Sequence, residues 1–160
     1  MKKASVSIES LASEAGAVGS VGLTKDSGYQ AGARRTFEIG AAKAWSLLVS
    51  ARCNELLTGR KAALEGEGPL SSWEGPPVAY QMTTYAPGSH LRMKWRESGW
   101  TSDSTFQARV IPAPRGKTTI AFHQERLVDS GARAAMLERW DRIFGGIAEM
   151  IDAKRKGETE

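Results

Sequence analysis

The chain has 160 residues, of which 41% are hydrophobic, enough for one domain with one substantial core. Its 22 Lys and Arg against 18 Asp and Glu leave a net charge of +4; these cations form no contiguous block of about 5–8 residues, which argues against nucleic-acid binding. The single cysteine, Cys53, excludes an internal disulfide framework and a Cys-rich metal site, and no apolar run reaches the roughly 18 residues of a membrane span.

Residues 1–27 are small, polar and Gly-rich and read as a flexible or loosely docked tail. Ile8, Leu11 and Ala15 would support one or two helical turns at most. Met1-Lys2-Lys3 is followed by no apolar segment, and Glu9 and Glu14 interrupt the stretch, so no signal peptide and a cytoplasmic location are expected. The folded domain is expected over residues 28–154, with a polar disordered tail at 155–160.

Tyr29 to Ile39 alternates with period 2 and predicts a half-buried strand, with Arg35 interrupting the otherwise apolar row of Ala33 and Phe37. Ala41 to Ser50 predicts a short helix with Trp45, Leu48 and Val49 on one face. A further turn around Arg52 to Leu57 ends at Gly59, and Cys53 there reads as a small packing residue. A short strand is expected at Ala62 to Glu65. Gly66 to Pro77 reads as a loop, with Trp73 in its middle.

A meander follows. Val78, Tyr80, Met82 and Thr84 alternate with Ala79, Gln81, Thr83 and Tyr85, and Pro87-Gly88 makes the turn. Leu91, Met93 and Trp95 then alternate with Arg92, Lys94 and Arg96. Gly99-Trp100 turns the chain again. Strands at Thr101 to Ile111 and Thr118 to Leu127 flank a Pro/Gly turn. Pairing Met82 with Met93, Met93 with Phe106, and Phe106 with Phe122 gathers the apolar residues on one face. Arg92, Lys94, Arg96, Arg109 and Arg34 collect on the other, together with His123 opposite Thr105. Ala132 to Lys154 predicts one long helix whose Trp140, Phe144, Ile147 and Ile151 share a face, widened by Met136, Ile143 and Ala148. Gly145 and Gly146 fall on its polar side or flank.

The fold class is therefore α+β: a curved antiparallel sheet wrapped around a long C-terminal helix, with one or two short helices after the first strand. That order resembles the helix-grip fold of the SRPBCC (START and Bet v 1-like) superfamily. The branch it is similar to contains the C-terminal domain of the activator of heat-shock protein 90 ATPase. The residues that carry the resemblance are Arg35-Thr36-Phe37 with Ala44-Trp45, Pro87-Gly88 before Leu91-Arg92-Met93-Lys94-Trp95, Ser98-Gly99-Trp100, and Phe122-His123-Gln124-Glu125-Arg126-Leu127. The segment Leu56-Leu57-Thr58-Gly59 stands where such proteins commonly carry a Trp-Leu-Gly-like sequence.

The resemblance implies a cavity between sheet and helix. Its candidate lining is Tyr80, Met82, Trp95, Phe106, Phe122, Trp140 and Phe144, with Trp45 nearby. The same rings would otherwise simply fill the core. Arg35 and Gln124 are polar residues in inward register. A buried Arg needs an acceptor, which a ligand carboxylate would supply; an internal carboxylate such as Glu125 or Asp103, a twist that turns Arg35 to solvent, or a position at the open end of the cavity would serve as well. Trp73 and Trp100 are candidate cavity-mouth residues, or caps on the core.

The expected function is non-catalytic binding of an apolar or aromatic small molecule in that cavity, with no cofactor and no metal. One rival is a cyclase- or hydratase-like enzyme on the same pocket, for which Tyr80 is the obvious inward acid–base group. A second is a co-chaperone-like module that stimulates a chaperone ATPase and docks an acidic protein partner on the basic face. A monomer or homodimer is expected, with neither nucleic acid nor membrane as partner. His123 and Glu125 could form an acid–base pair, but on the outer face.

Overall fold

The computed structural model describes residues 23–24, 28–64 and 71–159. Among these residues, seven antiparallel strands form one sheet: β1 (Leu23–Thr24), β2 (Gly28–Phe37), β3 (Ser72–Glu74), β4 (Val78–Ala86), β5 (His90–Glu97), β6 (Ser104–Ala113) and β7 (Lys117–Leu127). Their spatial order is β1-β2-β7-β6-β5-β4-β3. Two short helices, α1 (Ala41–Leu48) and α2 (Ala51–Thr58), follow β2, and the long helix α3 (Ser130–Thr159) closes the chain. No described helix is long and apolar enough to cross a membrane. The expected N-terminal tail lies outside the described residues, apart from Leu23–Thr24, which pair with Tyr29 and Gly28; the polar C-terminal tail expected at 155–160 instead continues α3 through Thr159, and Arg155 there donates to the Glu38 carbonyl.

Local chemistry sets the element ends. Ser50 accepts the Cys53 backbone N–H through its hydroxyl and starts α2, and Gly59 ends it in the left-handed region at φ 87°. A Cβ at position 59 would collide with the Pro77 ring, so the helix end is seated directly on the Gly75–Pro77 turn. Asp129 starts α3 by accepting the Ala132 N–H at 2.7 Å. Cys53 is buried, and desolvation pushes its thiol up to about 11 against a lowering hydrogen bond from Ser50. A thiol that stays protonated at neutral pH packs rather than reacts.

Met82 pairs with Met93 and Met93 with Phe106, as the alternation predicts. Phe106 instead faces Gln124, and Phe122 faces Ala108. The cause is the turn at Pro114–Gly116: Arg115 (φ 64°) and Gly116 (φ 75°) adopt left-handed backbone and reverse the chain tightly, so Ala113 lies opposite Lys117. The two-residue shift leaves every side chain on its expected face. His123 consequently lies opposite Gln107 rather than Thr105.

Three further expectations are corrected. A bulge between Met82 and Thr84 adds a residue to β4, so Tyr85 turns inward, where its ring meets Trp45 edge-on at 5.6 Å. No strand forms over residues 62–64: Leu64 is buried there, its N–H bonded to the Val49 carbonyl at 2.9 Å, and residue 65 is outside the described segment. Part of the expected Gly66–Pro77 loop is strand β3, which places Trp73 opposite Tyr80 on β4; residues 66–70 lie outside the described segment.

The α3 stripe is buried as expected through Met136, Trp140, Ile143, Phe144, Ile147 and Ile151. Gly146, expected on the polar flank, is buried instead. A Cβ there would stand 3.1 Å from Leu56 Cδ1, so glycine lets α2 lie close against α3. A Cβ at Gly145 would meet nothing. Gly145→Ala is therefore expected to add about 1 kcal/mol of stability from helix propensity alone. Gly146→Ala should gain less, because Leu56 must shift. Chemical denaturation of the two variants side by side checks the ranking.

Candidate functional site

The inner sheet face and the long helix meet through a continuous run of rings. Trp95 lies 5.1 Å from Phe106, centroid to centroid, and Phe106 lies 5.7 Å from Phe122. Trp140 on α3 lies 6.2 Å from Phe106 and 5.7 Å from Phe122. Phe144 stacks on Phe122 at 5.1 Å and reaches Phe37 at 6.1 Å. Tyr80, Met82 and Trp45 are buried beside them. The expected inward rings are thus brought together, in mutual contact at ordinary aromatic distances.

Two polar atoms inside this cluster have no hydrogen-bond partner among the described residues: Gln124 Oε1 and Trp140 Nε1. Gln124 is fully buried, and its amide donates to Ser104 Oγ at 2.8 Å. Ser104 in turn donates to the Trp95 carbonyl at 3.0 Å. That chain fixes the amide orientation and leaves the acceptor oxygen unused. Gln124 faces Phe106 across the sheet, and Trp140 packs on Phe106 and Phe122. One unused acceptor and one unused donor therefore lie around the same rings.

Arg35 is not part of this arrangement. It pairs in register with buried Ile120, yet its side chain is exposed. Among the described residues, β2 is an edge strand beyond Tyr29, because β1 pairs only at residues 28 and 29. The guanidinium lies over the Phe37 ring at 5.3 Å. Water solvates it, so no carboxylate is called for.

A second polar group closes the α2 end of the grip. Arg139 on α3 binds Glu97 at the end of β5 in a bidentate pair, 2.7 and 3.0 Å. Only 16% and 14% of the two side chains are exposed. Glu97 also accepts Trp95 Nε1–H at 3.0 Å, and Arg139 donates to the Leu57 carbonyl at 3.2 Å. One ion pair thus ties α3, β5 and α2 together. Sequence reasoning missed it because the partners are 42 residues apart. The available signal was Arg139 itself, which sits beside the apolar stripe at i+3 from Met136.

Of the two mouth candidates, Trp73 is half-buried on β3, its indole edge resting on Gly75 so closely that a Cβ there could not fit. The Arg60 guanidinium lies over the Trp73 ring at 5.1 Å, and Arg60 donates to the Tyr80 hydroxyl at 3.2 Å. Trp100 is half-buried in the β5–β6 turn, its N–H bonded to the Glu97 carbonyl at 3.0 Å.

The outer sheet face exposes Arg34, Arg92, Lys94, Arg96 and Arg109, as expected. Arg92 is held by Gln107 and Arg96 by Asp103. An open cleft of about 260 Å³ on this side is lined in part by Glu74, Gln81, Lys94, Arg96 and Asp103. His123 and Glu125 lie 3.4 Å apart with nearly half of each side chain exposed.

No protein-family profile matches the chain, and no curated protein is significantly similar to it. Solved structures do match in three dimensions. CalU16 from Micromonospora echinospora superposes with a TM-score of 0.60 at 13% identity, over 76% of this chain and 73% of that one. DynU16, from the dynemicin biosynthetic locus, superposes at 0.59 with 12% identity, over 77% of this chain but 47% of that one. PFC0360w, an HSP90 activator from Plasmodium falciparum, superposes at 0.55 with 12% identity, over 78% and 96%. At such identities the likeness is one of fold. The chain has an α+β helix-grip fold, as these structures do.

Proposed function

We propose that the protein binds a small apolar or aromatic molecule between the inner sheet face and α3, without transforming it. The supporting observation is the unused pair among the described residues, Gln124 Oε1 and Trp140 Nε1–H, in an apolar interior crossed by a run of rings. A buried polar atom without a partner costs about 1–3 kcal/mol, and folded proteins hold few of them. A ligand with one donor and one acceptor would recover that cost for both atoms. The rings touch one another, so binding also requires them to part, and the ligand must be flat enough to interleave.

The test uses N-phenyl-1-naphthylamine, a neutral probe that fluoresces in apolar surroundings and whose amine N–H suits Gln124 Oε1. Gln124→Leu keeps the volume but removes the unused acceptor. The variant is expected to be at least as stable as the parent, yet to bind the probe roughly three- to tenfold more weakly. Unchanged probe affinity, or no binding to the parent protein, contradicts the reading.

A second reading has its own observation. Lys94 and Arg109 are exposed on the outer face with no carboxylate partner among the described residues, a surface suited to an acidic protein. Docking there would be indifferent to Gln124→Leu, which separates the two.

A further inference from the structure

Among the described residues, Arg60 is a cation with no matching anion. A guanidinium offers five N–H donors, and the Arg60 side chain uses one of them, on the Tyr80 hydroxyl at 3.2 Å. It forms no ion pair among the described residues, although Lys61 beside it pairs with Glu55. Tyr80 is buried and, having accepted from Arg60, has its own O–H left to donate. The local group therefore donates more than it accepts.

The group is also held in place. Gly59 in its left-handed conformation seats the α2 end on Pro77. The Arg60 backbone N–H is bonded to Thr58 Oγ1 at 3.2 Å. Thr58 is fully buried and bonds Asn54, whose amide binds the Ala62 carbonyl at 2.6 Å. The Trp73 ring, set by Gly75, lies under the guanidinium. A solvated surface arginine has no need of this support.

Tyr80 links this cation to the interior. Its ring stands in the inner row directly across from Trp95, and Trp95 packs on Phe106 within the ring cluster. We infer that Arg60, stacked on Trp73 and bonded to Tyr80, receives a single oxyanion, such as a carboxylate, at one end of the ligand whose apolar body lies between sheet and α3. This inference rests on the binding reading above and adds the ligand's charge and length. Gln124 and Tyr80 stand on β7 and β4, three strand spacings or roughly 14 Å apart. The ligand is accordingly elongated, with the oxyanion distant from the group that meets Gln124.

The test compares 11-(dansylamino)undecanoic acid with its methyl ester, which has the same fluorescent body and no charge. The parent protein is expected to bind the acid about tenfold more tightly than the ester, the worth of one charge-assisted contact. Arg60→Gln should erase that preference while leaving ester affinity unchanged. Arg60→Lys, which keeps the charge but loses the stacked fork, should retain part of it. Lys94→Gln on the outer face should leave it intact. Thermal melts establish that each variant is folded; should Arg60→Gln not fold, Arg60→Lys decides, and a preference that it retains in full contradicts the proposal. Equal binding of acid and ester by the parent overturns the oxyanion site while the binding reading stands. A preference that survives Arg60→Gln, or disappears with Lys94→Gln, overturns it too. Failure of both ester and N-phenyl-1-naphthylamine to bind the parent removes the binding reading and this inference together.

Discussion

Glu97→Gln is expected to destabilise the protein by about 3 kcal/mol, near the lower end of what breaking a buried ion pair costs. For a domain of this size that lowers the melting temperature by roughly 6–12 °C. The change is isosteric, so the loss is electrostatic. It leaves the Arg139 guanidinium, 84% buried by side-chain area, with an amide and the Leu57 carbonyl in place of a carboxylate. The Trp95 indole loses a charged acceptor at the same time. Arg139→Met leaves the opposite problem, a shielded carboxylate with only the indole as donor, and should cost a similar amount. The double variant should cost clearly less than the sum, because a half-removed pair is worse than none. Equilibrium denaturation of the four proteins measures the coupling. Additive losses would mean that the two side chains do not act as one clasp.

Trp140→Ala should be the most damaging single change in the helix, at about 3–5 kcal/mol, or roughly 6–20 °C in melting temperature. Trp140 is fully buried at the centre of the ring run, in contact with Phe106 and Phe122 from two adjacent strands. Its removal opens a void that α3 cannot close without losing Ile143 and Ile147 from their own packing. Trp140→Phe should cost far less. It keeps a ring against Phe122 and removes an indole N–H that has no partner. Thermal unfolding of both variants gives the comparison. Equal losses for Ala and Phe would show that the indole N–H contributes to stability through a partner after all.

The architecture was legible because burial here follows simple periods. Leu91, Met93 and Trp95 against Arg92, Lys94 and Arg96 form a period-2 row, and it emerges buried against exposed without exception. The α3 stripe follows its 3.6-residue period in the same way. What could not be read depends on backbone irregularities or on pairings distant in sequence. The bulge at Thr83 reverses the facing of Tyr85, and nothing in the local sequence marks it. The left-handed Arg115 tightens a turn that looked longer, which moves Phe122 two residues away from Phe106 in register.

The candidate site was half legible for the same reasons. The rings and Gln124 were in the right rows. Arg35 was in the right row too, but at an edge, where inward register does not mean burial. Arg60, a partly sheltered cation with no carboxylate partner among the described residues, follows a helix end and carries no periodic signal. Its relation to Trp73 and Tyr80 depends on β3 pairing with β4 in a stretch that reads as loop. The Arg139–Glu97 clasp joins a helix to a strand end and could be recognised only once both were placed.

Whether a ligand enters between sheet and helix is tested most directly by proton–nitrogen correlation spectra of the indole groups, with the Trp140 signal assigned through Trp140→Phe, during titration with N-phenyl-1-naphthylamine. The account predicts a saturable shift of the Trp140 Nε1–H resonance together with the Gln124 side-chain amide. Saturable shifts confined to the backbone amides of Lys94, Arg96 and Asp103, with both interior signals unmoved, would place the probe on the outer face and contradict it.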